Sequence, residues 1–343
     1  MKLTELFFTL PEHLIAQEPQ PEREGSRMLV VERETGDIAN HRFVEFPGFL
    51  HEGDLLVVNN TRVFPARLFG NSDTGARIEI FLVRETGADR WEALARPARR
   101  LKPGKRLRFG ERLTAAVIEK LDDGKIVIEF ESSGPLDAAI DELGRTPLPP
   151  YIKREQDAID RDRERYQTVY AKNRGAIAAP TAGLHFTPEV FAQIAARGVE
   201  TAEITLHVGY GTFEPVRVDD LAKHRVMPER YEIDTATAEK LNRAKAAGRR
   251  IVAVGTTTTR ALESNFGNNG RFEAVSALAD LTITPGYTFG AVDALLTNFH
   301  LPQSSLLLLT SVFGGHELIM NAYRHAVAGE YRFFSYGDCM LIV

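Results

Sequence analysis

Hydrophobic and polar positions follow two textures along the chain. Between residues 63 and 150, the runs ARLFG, ARIEIFLVRE, RWEALARPA, KRLRFG, RLTAAVIEKL and KIVIEFES alternate apolar with polar residues and are parted by Gly, Asp and Asn turns. Period-two patterning at this spacing predicts a small antiparallel barrel or sandwich. On either side the apolar positions form continuous runs, at 55–58, 176–179, 199–208, 250–254 and 292–296, with helical patterns between several of them. Such runs read as strands buried on both faces of a sheet. The expected class is therefore α/β: a mixed-sheet main domain of residues 1–62 and 151–343, with an inserted antiparallel β-barrel domain at 63–150. Pro147, Pro149 and Pro150 stiffen the exit from the insert.

The densest chemistry lies at residues 175–213, GAIAAPTAGLHFTPEVFAQIAARGVETAEITLHVGYGTF. A small-residue strand end breaks at Pro180, Thr187 and Pro188 open a helix, Gly198 stops it, and 199–208 reads as a second strand. This predicts a βαβ unit whose loops sit at the carboxyl edge of one sheet, where open α/β sheets bind ligands. The first loop carries Thr181, Gly183, His185 and Thr187; the second carries His207, Gly209, Tyr210, Gly211 and Thr212. Elsewhere strands run into Asn59-Asn60-Thr61-Arg62, Gly255-Thr256-Thr257-Thr258-Thr259-Arg260 and Thr297-Asn298-Phe299-His300. The Asn pair reads equally as a self-satisfied turn or as a ligand-facing loop. A short helix at 11–17, a hairpin turning at 34–37, a capped helix at 234–247, two late helices and a terminal strand inserted in the sheet complete the pattern. The mixed-charge run 153–165 reads as a solvated helix or linker.

Composition narrows the function. The 343 residues are 43% hydrophobic and 26% charged, values of a globular protein large enough for two domains. A net charge of −5 argues against a protein that coats nucleic acid unspecifically. One stretch departs from this balance: Arg96, Arg99, Arg100, Lys102, Lys105, Arg106 and Arg108 fall within thirteen residues that hold no acid. Alone it would be a solvated loop; on a negative background it fits a phosphate-tracking surface. The single cysteine, Cys339, fits a reducing compartment. With no signal-peptide pattern and no apolar run near the ~20 residues of a membrane span, a soluble cytoplasmic protein is expected. No HExxH, paired Cys or tight His cluster announces a metal, and no GxGxxG, P-loop or GxSxG appears. Should the strands be neighbours, their loops converge on one cleft. His185, His207, His224 and His300 are then candidates for proton transfer, a hydrogen-bonded structural role being the alternative for each.

Several long stretches resemble one family. LIAQEPQPER and SRMLVV within 14–31, GDLLVVNNTRVFPARL at 53–68, YQTVYA at 166–171, AAPTAGLHFT, LHVGYGTFEPV, GTTTTRALES, LLTNFHLPQSSLLLLTSVFGG and YRFFSYGDCMLI are similar to motifs of the S-adenosylmethionine:tRNA ribosyltransferase-isomerases of queuosine biosynthesis. One departure is His224-Arg225-Val226-Met227-Pro228-Glu229, where the family tends to have His-x-Met-His-x-Glu; the second His is absent. GTTTTR also varies from the family wording, keeping Gly255, Thr256, Thr257 and Arg260. The resemblance implies an α/β domain with an inserted β-barrel. It implies a transferase that consumes S-adenosylmethionine as ribosyl donor, with no cofactor and no metal. The acceptor would be tRNA carrying 7-aminomethyl-7-deazaguanine at the wobble position, and the products epoxyqueuosine, adenine and methionine.

On that footing, His185 is the expected base, held neutral at a helix amino terminus, with His207 and His300 orienting ribose or adenine. Expected substrate-binding residues are Thr181, Gly183, Tyr210, Gly211, Thr256, Thr257, Arg260 and Asn298. Arg260 would hold an anion, the alternative being an ion pair with Glu263 or another buried acid. Arg96, Arg99, Arg100, Lys102 and Lys105 are the expected tRNA contacts. The protein is expected to be monomeric and to have no membrane partner. Two rival readings are a methyltransferase using the same donor and a non-catalytic tRNA-binding protein.

Overall fold

The computed structural model describes residues 1–154, 159–213, 216–267 and 269–343. Arg27–Val31 (β1) and Ile38–Arg42 (β2) form the expected hairpin; Leu55–Asn59 (β3) and Thr61–Val63 (β4) follow. Arg67–Ser72 (β5), Arg77–Gly87 (β6), Arg90–Arg96 (β7), Arg106–Phe109 (β8), Leu113–Lys120 (β9) and Ile126–Ser132 (β10) close into an antiparallel barrel in the order β10-β7-β6-β5-β8-β9. Closure removes sheet edges, and the inward positions Leu68, Ile80, Leu82, Leu107, Ile126 and Ile128 build a core of their own. Leu136–Leu143 (α1) packs onto that core through Ile140.

The rest of the chain builds the main layer. Its elements are Ile159–Arg165 (α2), Asn173–Ala176 (β11), Pro188–Ala196 (α3), Glu200–Leu206 (β12), Glu229–Ile233 (β13), Thr235–Ala246 (α4), Ile251–Val254 (β14), Thr256–Phe266 (α5), Val275–Ala279 (β15), Ala294–Asn298 (β16), Ser305–Gly314 (α6), His316–Ala328 (α7) and Cys339–Ile342 (β17). Nine strands form a mixed sheet in the order β15-β13-β12-β3-β14-β16-β17-β1-β2. β12, β3, β14 and β16 are mutually parallel, so their carboxyl ends share one edge. The terminal strand β17 lies inside the sheet, between β16 and β1, as its apolar sequence requires. Successive residues of each central strand serve opposite cores. Leu55 and Val57 face the layer of α4 to α7, whereas Leu56 and Val58 face α3 and the turn Phe43–Phe49. Each such buried side chain contributes about 1.5–3 kcal/mol. Local sequence fixes the helix starts: Val190 N donates to Thr187 Oγ1 (3.3 Å), Thr237 N to Asp234 Oδ1 (2.7 Å) and Leu307 N to Ser304 Oγ (3.2 Å).

Two expectations are corrected. The stretch 175–213 is not a βαβ unit of one sheet, because β11 pairs with β4, in a separate parallel ribbon. The cause lies at the crossing into the barrel. Asn59 Oδ1 accepts from Thr61 N (3.1 Å) and Leu206 N (2.9 Å), and its Nδ2 donates to Leu206 O (2.9 Å), so the side chain replaces backbone pairing where the chain turns away. The returning strand then meets the departing one. Asn60 is likewise tied, to Glu203, Thr205 and Asn173, which decides for the self-satisfied turn. Residues 11–17 hold a short 3-10 turn, Glu12–Leu14, in place of a helix, because Ile15 bridges Phe333 and Ala16 N donates to Phe333 O (3.1 Å). The run 153–165, of which 155–158 lie outside the described residues, holds the solvated helix as α2, with Arg161, Arg163 and Glu164 exposed and Asp162 buried. Arg154 holds it through Nε (2.6 Å) and Nη2 (3.0 Å), and Tyr336 OH donates to it (2.9 Å).

Candidate active site

At the shared carboxyl edge lies a cleft of two connected cavities, of about 620 and 570 Å³ of empty space. Thr256, Thr257 and Leu306 line both. The floor is the start of α5. Gly255 adopts φ +92°, open to glycine, so β14 can turn straight into the helix. Thr258 and Thr259 turn their hydroxyls back to the Val254 and Gly255 carbonyls, leaving Thr256 and Thr257 on the cleft side with the helix's free amides.

Asn298, at the end of β16, is the best-defined polar group of the larger cavity. Its Nδ2 lies 3.2 Å from Phe334 O, 3.4 Å from Asp338 O and 3.3 Å from His185 Nε2, three acceptors that fix the amide's orientation. Oδ1 is buried and has no partner among the described residues. A buried carbonyl oxygen left so is a place for a ligand donor. Aromatic rings form the wall: Tyr151 and Phe334 lie 4.1 Å apart, and Tyr166 and Phe299 complete it. Phe334 holds φ +73°, costly for a bulky residue and maintained by its amide on Phe299 O (3.1 Å) and its carbonyl under Asn298.

The four histidines separate clearly. His300 lines the larger cavity, with Nε2 2.9 Å from Thr297 Oγ1, and burial lowers its pKa to about 3. His185 stands behind Asn298 and lines a smaller pocket on its far side; burial takes it to about 4. His207 lines neither cavity. It is bound to Thr61 Oγ1 (2.8 Å), beneath Gly175, and desolvation lowers its pKa. His224 borders the second cavity, 2.7 Å from Ser305 Oγ, lowered by burial and then by Arg225. A measurable consequence follows from linkage. His185 and His300 stay neutral in the fold but charge in the unfolded chain near 6.5, so the unfolded state binds more protons between about pH 4 and 6.5. Stability is then full above that window and falls as pH drops, by about 1.4 kcal/mol per pH unit for each group. Urea unfolding at pH 6 and 5 should show a slope reduced by one proton in His300→Gln.

Arg260 is not a free anion clamp. Its Nη1 pairs with Glu229 (2.7 Å), Nε donates to Leu281 O (3.0 Å), and Nη2 donates to Met227 O (2.7 Å) and Ala279 O. Glu229 in turn accepts from Gly209 N (2.8 Å), so the pair ties the loop after β12 to α5. The ion-pair alternative is the observed one, and the buried acid is Glu229, not Glu263. Tyr210 turns to the barrel, 6.1 Å from Phe81, and Gly211 lines the second cavity against Met227. Thr181 lines the larger cavity. Gly183 is required by space, since a Cβ there would lie 1.9 Å from Tyr170 OH. The Thr212 side chain lies outside the described ones. On the barrel, Arg96, Arg99, Arg100 and Lys102 carry no ion pair among the described residues and Arg96, Arg99, Arg100 and Lys102 are open to solvent, whereas Lys105 is held by Asp73. Tyr151, Phe334 and Ser335 give no signal of this role in the sequence. Positive φ at a phenylalanine leaves no mark there, and Tyr151 follows a proline run that reads as a linker.

A mixed α/β sheet with a ligand cleft at its carboxyl edge, joined to a small closed barrel, is the architecture of a two-part enzyme. The chain belongs to the queuosine biosynthesis protein family, whose model matches residues 3–342. It is 50% identical over 338 residues to the S-adenosylmethionine:tRNA ribosyltransferase-isomerase of Staphylococcus saprophyticus, covering 98% of both chains. The protein of that name from Heliobacterium modesticaldum is also 50% identical, over 340 residues and 98% of each chain. A crystal structure of S-adenosylmethionine tRNA ribosyltransferase from Thermotoga maritima superposes with a TM-score of 0.56 at 36% identity, covering 99% of this chain and all of that one. Among the described residues no group of three or more His, Cys, Asp or Glu could hold a metal, and no helix is long and apolar enough to cross a membrane.

Proposed function

We propose that this chain transfers and isomerises the ribosyl group of S-adenosylmethionine onto tRNA in queuosine biosynthesis, acting on 7-aminomethyl-7-deazaguanine at the wobble position. The carrying observation is the full-length likeness to enzymes of that name, on a chain with a polar and aromatic cleft at the sheet edge. The reaction removes a proton from the 5′ carbon beside the sulfonium, expels adenine, joins the aminomethyl nitrogen to the sugar and closes an epoxide as methionine leaves. It uses the donor up and calls for no metal or redox cofactor. His300 serves as base in this reading, since it is the one histidine bordering the aromatic cavity, and burial keeps its imidazole neutral and able to accept. His185, expected as base, instead holds Asn298, whose free Oδ1 accepts from a hydroxyl or amino group of the donor. The amides and hydroxyls of Thr256 and Thr257 receive the methionine carboxylate, a role Arg260 has surrendered to Glu229. Tyr151 and Phe334 stack the adenine.

Purified protein with S-adenosylmethionine and precursor-bearing tRNA should release free adenine. S-adenosylhomocysteine instead would mean methyl transfer, and tRNA binding with intact donor would mean a binding protein alone. The exposed run on the barrel supplies the RNA contacts in this reading. Reversing Arg99, Arg100 and Lys102 to Glu should weaken tRNA binding and flatten its salt dependence by about 0.7–0.9 in logarithmic slope for each phosphate no longer neutralised. Unchanged affinity would remove the barrel face from the interface.

A further inference from the structure

Behind the wall of the cleft lies a smaller pocket, of about 270 Å³, lined by Gln20, Arg23, Arg165, His185, Ser335 and Tyr336, among others. Its two guanidiniums are unusual for their partners. Arg23 donates to Leu184 O and Glu164 O (both 3.2 Å), and Arg165 to Pro21 O (3.1 Å) and Gln20 O (2.6 Å). Among the described residues neither forms an ion pair with a carboxylate, although Arg154, Arg27 and Arg250 on the same domain all do. Arg165 Nε is buried and has no partner among those residues. Arg332 adds a third positive charge close to His185. Two half-buried cations held by carbonyls, with the Glu164 charge acting on Arg23 as partial compensation, leave the pocket net positive, a setting that favours an oxyanion.

We propose that this pocket binds a phosphodiester of the RNA substrate, an inference that rests on tRNA being the acceptor. The geometry favours RNA over the donor's carboxylate because the His185–Asn298 contact stands between this pocket and the cleft. It also gives the phosphate a consequence. Ser335 borders both cavities, and His185 joins the pocket to Asn298, so the phosphate's seat and the amide that meets the donor share one wall.

The test uses the full chain, with Arg23→Gln, Arg165→Gln and the double variant. tRNA binding across a salt series should lose at least about tenfold in affinity for the double variant, and its logarithmic slope should shrink by about 0.7–0.9. Inorganic phosphate, without RNA, should raise the melting temperature of the wild type and not that of the double variant, which separates a lost site from a weakened fold. Donor affinity, also measured without RNA, should change less than about twofold. Unchanged tRNA affinity and salt slope would overturn the proposal, as would a loss confined to donor affinity, which would assign the pocket to the carboxylate. Wild-type protein that binds tRNA but releases no adenine would fail the proposed function while leaving this site standing.

Discussion

Replacing Asn298 by alanine is expected to lower kcat/KM for adenine release by about 10²- to 10³-fold, the range seen when one preorganised polar group is taken from a water-poor site. The amide does two things at once. Its Nδ2 ties Phe334 O, Asp338 O and His185, and so holds the strained turn that presents Phe334 and Ser335 to the cleft. Its Oδ1 is buried and has no partner among the described residues, on a residue that lines the cavity. Asn298→Asp isolates the first task, because a carboxylate oxygen in place of Nδ2 faces two carbonyls and a lone pair. That variant should lose both activity and stability, whereas Asn298→Ser, which frees the same carbonyls without adding a charge, should lose less stability and stay slow. Near wild-type turnover in Asn298→Ser would remove Asn298 from the donor site.

The largest stability effect is expected at Glu263. This carboxylate is 1% exposed and forms no ion pair among the described residues; it accepts from Tyr287 OH (2.9 Å) and from the amides of Gly290 (3.0 Å), Ala291 (3.0 Å) and Val292 (2.9 Å). It therefore moors α5 to the loop that leads into β16, the two elements that carry Thr256 and Asn298 into the cleft. Glu263→Ala strands two buried amides, those of Ala291 and Val292, together with the partly exposed Gly290 amide, and should cost about 4 kcal/mol, at about 1–3 kcal/mol for each buried group left unsatisfied. Glu263→Gln keeps one acceptor oxygen and should recover about half of that. Urea unfolding of the three proteins checks the order, and a loss under about 1 kcal/mol in the alanine variant would show that water replaces the carboxylate.

Much of this was legible in the sequence because it depends on local pattern. Alternation marked the six barrel strands, and unbroken apolar runs marked β3, β14 and the interior position of β17, since neither signal needs a distant partner. Thr187, Asp234 and Gly255 marked helix starts through side-chain or backbone properties of their own. What stayed hidden depends on pairing between distant segments. That β11 joins β4 follows from where Asn59 and Asn60 send the chain, and nothing within 173–176 announces it. Arg260 carries the same charge whether it meets a substrate or Glu229, thirty-one residues away. For the histidines the sequence supplied the residue type and missed the depth. His185 and His300 lie on similar strand-end loops, yet one ends behind Asn298 and the other beside the cavity.

The placement of the barrel between β3 and β12 bears on the order in which the chain folds. These two strands are neighbours, with Glu200 opposite Leu55, yet the whole barrel lies between them in sequence. Joining them directly from an open chain means closing a loop of more than a hundred residues. The barrel's own contacts are short-range hairpins, β5 with β6, β6 with β7, and β9 with β10, and they need nothing from the main sheet. Once closed, the barrel holds its two chain ends together and shortens the loop that remains, at about 0.6 kcal/mol for each halving. The barrel then acts as a nucleus in kinetics, whatever it touches at equilibrium: core substitutions such as Ile80→Val should slow the assembly of the distant cleft, while the same change in β12 should mainly hasten unfolding.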